Sequence, residues 1–245
     1  MSEKTEPATE PATEAATDEA PARPAGLQAP IQDLFASAVH RFGAVWADLV
    51  VASVAALVLA TIPVAAVHEG GGSVDETALT GRFAYGIAYF TIVGFVMLRG
   101  LPEPAPRRRV VWTYATSVMI GTVAGFIVAF LGPYAVVPMP LLLFAVPAIA
   151  AGDVQPGGTL ARSAALAVRN FSRTWLVWLI TILFTAPIVV SMALIVYAFT
   201  DGGTAFLVGL AMAAPIVWPF SALFTRALYA DLTGRNVVAP QDRTA

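Results

Sequence analysis

The sequence predicts an all-α fold: a polytopic integral membrane helical bundle with six transmembrane helices and two cytoplasmic interfacial amphipathic helices. Hydrophobic residues make up 58% of the 245 positions and charged residues only 12%, about half the charged share of a soluble domain. The runs 110–151 and 174–200 contain no charged residue. The 14 lysines and arginines fall between apolar runs, in the alternating pattern that is typical of membrane proteins.

The chain divides into three regions by composition. Residues 1–30 repeat Thr-Glu-Pro-Ala units and contain no aromatic residue. Such a segment buries too little apolar surface to offset the entropy lost on ordering, so we expect a disordered acidic tail. Residues 31–235 are expected to form the membrane domain, and residues 236–245 a flexible C-terminal tail.

Six apolar segments in this domain are candidates to cross a bilayer. A helix rises about 1.5 Å per residue, so about 20 residues cross a hydrocarbon core of roughly 30 Å. Neither a polar stripe nor a period of two runs through the segments, which argues against soluble helices and barrel strands. They run from Trp46 to Val67, Arg82 to Leu98, Val110 to Leu131, Pro133 to Ala151, Thr174 to Thr200 and Thr204 to Tyr229.

The second and fourth segments are the least regular. The second is short and contains Gly86 and Gly94, whereas the fourth contains several prolines between positions 133 and 147. Proline within a membrane helix leaves a carbonyl that a neighbouring helix must satisfy. The sequence leaves open whether these two segments span the membrane fully.

The charged loops predict the orientation of the bundle. With six crossings, every lysine and arginine except Arg82 lies on one side, and Glu69, Asp75 and Glu76 lie on the other. Basic loops are retained in the cytoplasm. We therefore predict a multi-pass protein of a bacterial cytoplasmic (inner) membrane with both termini in the cytoplasm; the bacterial origin is a hypothesis from the abundance of alanine and the preference for arginine over lysine.

Two similar stretches, 38–46 and 167–175, precede and open the first and fifth segments. We expect both to belong to amphipathic helices in the cytoplasmic interface, with Trp46 and Trp175 at headgroup depth. Whether they are a true duplication or a common feature of membrane proteins stays open. Their apolar faces are predicted to consist of Ile31, Phe35, Ala38, Phe42 and Trp46 in the first copy and Leu160, Ala164, Ala167, Phe171 and Trp175 in the second.

Arginines on the cytoplasmic side are the candidate residues for lipid headgroups or for structural contacts. Each basic charge near an anionic membrane surface contributes about 1 kcal/mol, and fixing the topology is the alternative role. Asp231, at the end of the sixth segment, is expected to pair with an arginine and to clamp segment six to segment five. The candidate arginines are Arg107, Arg108, Arg109, Arg162, Arg169 and Arg173.

The sequence predicts no catalytic, cofactor-binding or metal site. Cysteine is absent and the two histidines, His40 and His68, are far apart, which argues against thiolate and histidine metal sites. No glycine-rich phosphate loop with lysine and no clustered Ser/His/Asp set is present. We therefore expect a protein that is not an enzyme, with membrane lipids as partners, other membrane proteins as an alternative, and no nucleic acid, because the net charge is −2.

Two stretches carry a resemblance to a known group. The helix at Ala161–Arg173, and the Tyr229-Ala230-Asp231-Leu232 that ends a proline-containing final span, resemble poorly characterised bacterial six-span proteins. That group includes the membrane domain attached to some glycerophosphoryl diester phosphodiesterases. The resemblance extends over residues 31–235 and implies a membrane module. The catalytic domain of those enzymes is missing, so the resemblance does not imply their activity.

Two functions remain compatible with the sequence. The first is a non-catalytic scaffold or accessory module with a basic, lipid-facing cytoplasmic surface, and it predicts a packed bundle. The alternative is a transporter or permease-like carrier of a small apolar or lipid-like solute, and it predicts a mid-membrane cavity lined by serine and threonine. Small residues in segment three, Gly121, Ala124, Gly125 and Ala129, allow close helix packing and favour the scaffold.

Overall fold

A computed structural model describes residues 29–101, 103–198 and 202–234, without the side chains of residues 202–207. The predicted tails lie outside these ranges, apart from Ala29 and Pro30. Every regular element in the described part is helical. The α-helices are α1 (Ile31–Glu69), α2 (Val74–Arg99), α3 (Arg107–Leu131), α4 (Ala145–Ala150), α5 (Thr159–Arg169), α6 (Phe171–Tyr197) and α7 (Gly202–Leu232). Short 3₁₀ helices lie at Gly132–Val136, Met139–Leu141 and Pro156–Gly158.

Five helices are long and apolar enough to cross a membrane, namely α1, α2, α3 with the 3₁₀ helix after it, α6 and α7. The described part of the chain is therefore all-helical, and its five long apolar helices are those of a membrane protein by length and composition. The helices differ in how many of their residues are buried. In the most apolar stretch of each helix, 67% of the residues are buried in α7 and 44% in α2, but only 11% in α1 and in α6. The interior of the bundle thus lies along α7 and α2, and α1 and α6 present most of their apolar surface outward.

Helix α2 begins at Val74 and not at the predicted Arg82, because Ser73 caps it. The Ser73 hydroxyl accepts a hydrogen bond from the Glu76 amide at 3.2 Å, and the Glu76 carboxylate accepts one from the Ser73 amide at 2.7 Å. This reciprocal capping box satisfies two amides that the first helical turn leaves without partners. The second predicted segment is consequently a full-length helix.

Glycines bring α2 and α3 into close contact. A Cβ atom on Gly121 would lie 2.4 Å from the Ile87 Cα, and one on Gly86 would lie 2.8 Å from the Gly121 carbonyl oxygen. One turn later, a Cβ on Gly125 would lie 2.5 Å from the Phe83 ring. No larger residue fits at these positions without moving the backbones apart, as expected where small residues mediate packing between membrane helices.

The fourth predicted segment is not a continuous helix. After α3, the chain forms two 3₁₀ helices and then the six-residue α4, because prolines lack the amide hydrogens that an α-helix requires. The segment nevertheless returns along the length of α3: a Cβ on Gly152 would lie 3.0 Å from the Arg109 guanidinium, in the first turn of that helix. Residues 142–150, which include α4, are all buried inside the protein, whereas Tyr134 and Val137 in the first part of the segment are exposed.

The first predicted amphipathic helix is continuous with the first span in α1, and Val45 marks a kink with φ −130° and ψ 19°. The part before the kink packs into the bundle. Leu34 and Ala38 are fully buried, and the Phe35 ring makes edge-to-face contacts with Phe220 and Phe224 of α7. Much of its apolar face thus contacts protein, although the Trp46 side chain remains 56% exposed.

The second predicted amphipathic helix buries a face that shares only Ala167 with the apolar face that its sequence suggested. The buried residues of α5 are Thr159, Ser163, Leu166 and Ala167, whereas Leu160 is 38% and Phe171 60% exposed. The small and polar face contacts the fourth segment, which leaves larger apolar side chains on the outside of the bundle. In a membrane this outer surface meets lipid.

The two similar stretches bend at different positions. The second breaks at Asn170, between α5 and α6, and the aligned residue in the first is Arg41, which lies inside α1. The first is kinked at Val45, whose counterpart Thr174 lies inside α6. Their shared residues therefore do not produce a shared bend.

Candidate functional site

The described residues form two chemically distinct ends of the bundle. We call one of them the basic end. Its arginines are Arg99 at the end of α2, Arg107, Arg108 and Arg109 at the start of α3, Arg162 and Arg169 in α5, and Arg173 at the start of α6. The acidic end contains the turn between α1 and α2, with Glu69, Asp75 and Glu76. The predicted site residues belong to α3, α5, the start of α6 and the end of α7, except Trp46, which lies inside α1 beside the kink at Val45.

Four of the predicted arginines, Arg107, Arg108, Arg162 and Arg169, are exposed at the basic end. In the described part of the chain, no hydrogen bond or salt bridge engages their side chains. Arg162 and Arg169 are two helical turns apart, so they point to the same side of α5. These guanidinium groups are free to bind anionic groups outside the protein.

Arg173 and Asp231 form the predicted arginine–aspartate pair between the last two spans. The Arg173 guanidinium lies 2.7 Å from the Asp231 carboxylate, with side-chain exposures of 15% and 6%. The same carboxylate accepts a hydrogen bond from the Ala29 amide at 2.7 Å, and Arg173 donates to the Ala29 carbonyl. The pair therefore ties the start of α6, the end of α7 and the residues before α1 together.

Three further arginines have contacts at the basic end, two with loops and one with α1. Arg226 of α7 donates to the Gly100 carbonyl at 2.6 Å, and a Cβ on Gly100 would overlap its guanidinium. Arg109 lies over Gly152, whose φ of +80° also favours glycine. Arg99 pairs with Asp48 of α1, and both side chains are 52% exposed. Of the predicted headgroup residues, Arg109 and Arg173 thus have structural contacts.

The remaining residues of the Tyr229–Leu232 motif are also structural. The Tyr229 side chain is buried, and its hydroxyl donates to the Asp153 carboxylate in the loop after α4. Trp175 is half-buried, and its ring lies 5.8 Å from that of Phe171. The motif thus fastens the end of α7 to two neighbouring segments.

The sequence did not reveal which side chains form hydrogen bonds with the backbone of the irregular fourth segment. The Ser163 hydroxyl accepts a hydrogen bond from the Phe144 amide at 3.0 Å and donates to the Leu141 carbonyl at 2.5 Å. The Trp178 indole donates to the Val136 carbonyl at 3.1 Å. Non-helical backbone within a membrane protein must find such partners, because lipid supplies none. The prolines in the sequence indicated that backbone groups in this segment would lack helical partners. They did not indicate which side chains would bond to those groups.

A cavity of about 720 Å³ lies toward the acidic end, which falls within the range of about 300–1,000 Å³ for small-molecule sites. It extends from His68 and Val74 to Gly86 in the middle of α2. Its wall is almost entirely apolar, with Thr77, Tyr85, His68 and Arg82 as its polar side chains. The carrier hypothesis predicted a cavity, but one lined by serine and threonine.

Aromatic and polar contacts between α2 and α7 follow the cavity toward the basic end. The rings of Tyr85 and Trp218 lie 6.2 Å apart. One turn further along α2, the Tyr89 hydroxyl and the Ser221 hydroxyl are hydrogen-bonded at 2.9 Å. These side chains join α2 to α7 on the basic side of the cavity.

Comparisons of the chain with models of protein families, with curated proteins and with solved structures find no match. The resemblance to the membrane domain of glycerophosphoryl diester phosphodiesterases therefore stays a prediction.

Proposed function

We propose that this protein is a non-catalytic membrane module whose basic end binds the headgroups of anionic lipids and so forms a platform at the cytoplasmic surface of a bacterial inner membrane. The observation that carries the proposal is the exposure of Arg107, Arg108, Arg162 and Arg169 without protein partners. The other arginines near these four already have structural contacts, which leaves this set available for an external ligand.

The energetic scale supports a preference for anionic lipids. Each arginine near an anionic surface contributes about 1 kcal/mol, so four contribute about 4 kcal/mol if they act independently. That sum corresponds to a preference of roughly three orders of magnitude at low ionic strength, and added salt reduces it by screening. The exposed Phe171 and Leu160 side chains beside them provide an apolar surface for the adjoining lipid chains.

The test compares lipid enrichment around variants in nanodiscs that mix phosphatidylglycerol and phosphatidylcholine. Replacing the four arginines by glutamine should remove most of the phosphatidylglycerol enrichment, and replacing them by lysine should retain it because the charge persists. Equal enrichment around the glutamine variant and the unchanged protein would contradict the proposal.

The proposed topology has six crossings and cytoplasmic termini. Its support is the alternation of basic and acidic loops and the return of the fourth segment to Arg109, which the contact with Gly152 indicates. A reporter that is active only in the periplasm should be active when inserted after Gly132 and inactive after Gly157 or at the C-terminus. Activity at the C-terminus would contradict this orientation.

A carrier of a small apolar or lipid-like solute is the second candidate, and the cavity is the observation that favours it. Transport requires the contact between Tyr89 and Ser221 to open. Because the chain has no cysteine, cysteines placed at these two positions can be joined by a thiol cross-linker. Cross-linking should abolish solute exchange in proteoliposomes if the protein is a carrier, whereas exchange that continues would exclude this route.

A further inference from the structure

We propose that the cavity at the acidic end binds a single-chain amphiphile with an anionic headgroup, with its headgroup at Arg82 and its acyl chain along the apolar wall. This inference goes beyond the proposed function, which concerns the opposite end of the bundle. It also stands whether or not the ligand is subsequently transported.

The shape and the chemistry of the wall indicate an acyl chain. Ala78, Gly81, Gly86 and Ala124 contribute little or no side chain to the wall, so the cavity stays open from Val74 as far as the close contact of α2 with α3 at Gly86. An apolar void costs free energy because its lining loses van der Waals contacts. A flexible hydrocarbon chain restores these contacts and needs no hydrogen-bond partner along its length.

The basic side chains in the wall of the cavity indicate an anionic headgroup. His68 and Arg82 line the cavity, whereas the nearby Glu69 and Asp75 do not, and the Glu76 carboxylate is bonded to Ser73. Arg82 is exposed and makes no hydrogen bond or salt bridge within the described ranges. Guanidinium groups bind carboxylates and phosphates through two parallel hydrogen bonds.

The position of Arg82 is the second argument for this role. In the proposed topology it is the one basic residue on the external side, where basic residues oppose the positive-inside pattern. A basic residue on this side disfavours the proposed orientation of the bundle. Arg82 forms no salt bridge in the described part of the chain that would compensate for this cost. An anionic ligand in the adjoining cavity supplies the missing partner.

Native mass spectrometry of the detergent-solubilised full-length protein tests the headgroup. We expect palmitate and lysophosphatidate to bind and neutral hexadecanol to bind at least about tenfold more weakly, since a hydrogen bond to a charged group has about this effect. Tighter binding of lysophosphatidate assigns a phosphate headgroup, and tighter binding of palmitate assigns a carboxylate. Equal binding of hexadecanol would overturn the proposal.

Five variants locate the ligand. Arg82→Gln should weaken palmitate binding about tenfold and Arg82→Lys should weaken it less, whereas Arg99→Gln, which removes the exposed pair with Asp48, should leave it unchanged. Ala78→Phe fills the cavity and should abolish binding, whereas Leu79→Phe, whose side chain is 42% exposed and outside the lining, should not. Unchanged binding to the Arg82→Gln protein would overturn the proposal even if Ala78→Phe prevents folding.

Discussion

Replacing Asp231 by alanine tests whether the basic end holds the bundle together. The Asp231 carboxylate lies 2.7 Å from the Arg173 guanidinium and accepts the Ala29 amide at 2.7 Å. The substitution removes both interactions at once. It also leaves the Arg173 charge, whose side chain is only 15% exposed, without this carboxylate.

The magnitude follows from the burial of the pair. A hydrogen bond to a charged group contributes about 1.5–3 kcal/mol, and removing one partner of a buried ion pair costs about 3–5 kcal/mol. Because Arg173 retains some solvent access, we expect a loss near the lower bound, about 3 kcal/mol. For a chain of this size, that loss lowers the melting temperature by about 6–12 °C.

The assay is thermal unfolding of the detergent-solubilised protein, followed by intrinsic tryptophan fluorescence. Asp48→Ala is the matched control, because it removes an arginine–aspartate pair whose side chains are both 52% exposed. Exposed pairs contribute about 0–1 kcal/mol. Asp231→Asn should give an intermediate loss, because an amide oxygen can still accept the Ala29 hydrogen bond.

A double variant separates the ion pair from general damage to the end of α7. If the isolated Arg173 charge causes much of the loss, Arg173→Met should restore part of the stability of Asp231→Ala. Equal melting temperatures for Asp231→Ala and Asp48→Ala would refute the reasoning, since burial would then make no difference.

The remaining predictions concern the fourth segment and the contact between α2 and α3, and both use the same melting assay. Ser163→Ala leaves the Phe144 amide and the Leu141 carbonyl without their side-chain partner and should lower the free energy of unfolding by about 2 kcal/mol. The control Ser172→Ala, at an exposed position, should lower it little. Equal losses of stability for the two variants would contradict the role assigned to Ser163. Gly121→Leu should destabilise by about 3 kcal/mol because its Cβ would lie 2.4 Å from the Ile87 Cα. Gly43→Ala, with no atom within 4 Å of the new Cβ, should leave stability unchanged or slightly raised.

The positions of the long helices could be predicted from the sequence because hydropathy and length are local properties. Five of the six predicted spans correspond to long apolar helices. The start of α2 was misplaced, although Ser73 and Glu76 have the spacing of a capping box and could have located it. The fourth segment was predicted as a transmembrane helix that its prolines made uncertain, and in the structure it consists of short helical pieces.

The contacts of the candidate site were only partly predictable. Asp231 near the end of an apolar helix indicated an arginine partner, but the choice of Arg173 over its neighbours depends on how α6 meets α7. The roles of Arg109 and Arg226 depend in the same way on Gly152 and Gly100, which lie far from them in the chain. No local pattern encodes such pairings.

By itself, the sequence determined that the chain forms apolar helices of membrane length, with basic and acidic residues segregated along it, since each of these properties belongs to a single segment. Only the tertiary structure decided which face of α5 is buried, which arginines remain exposed and where the cavity lies. These features arise where two or three helices meet, and side-chain volume and backbone hydrogen bonding at those contacts determine them.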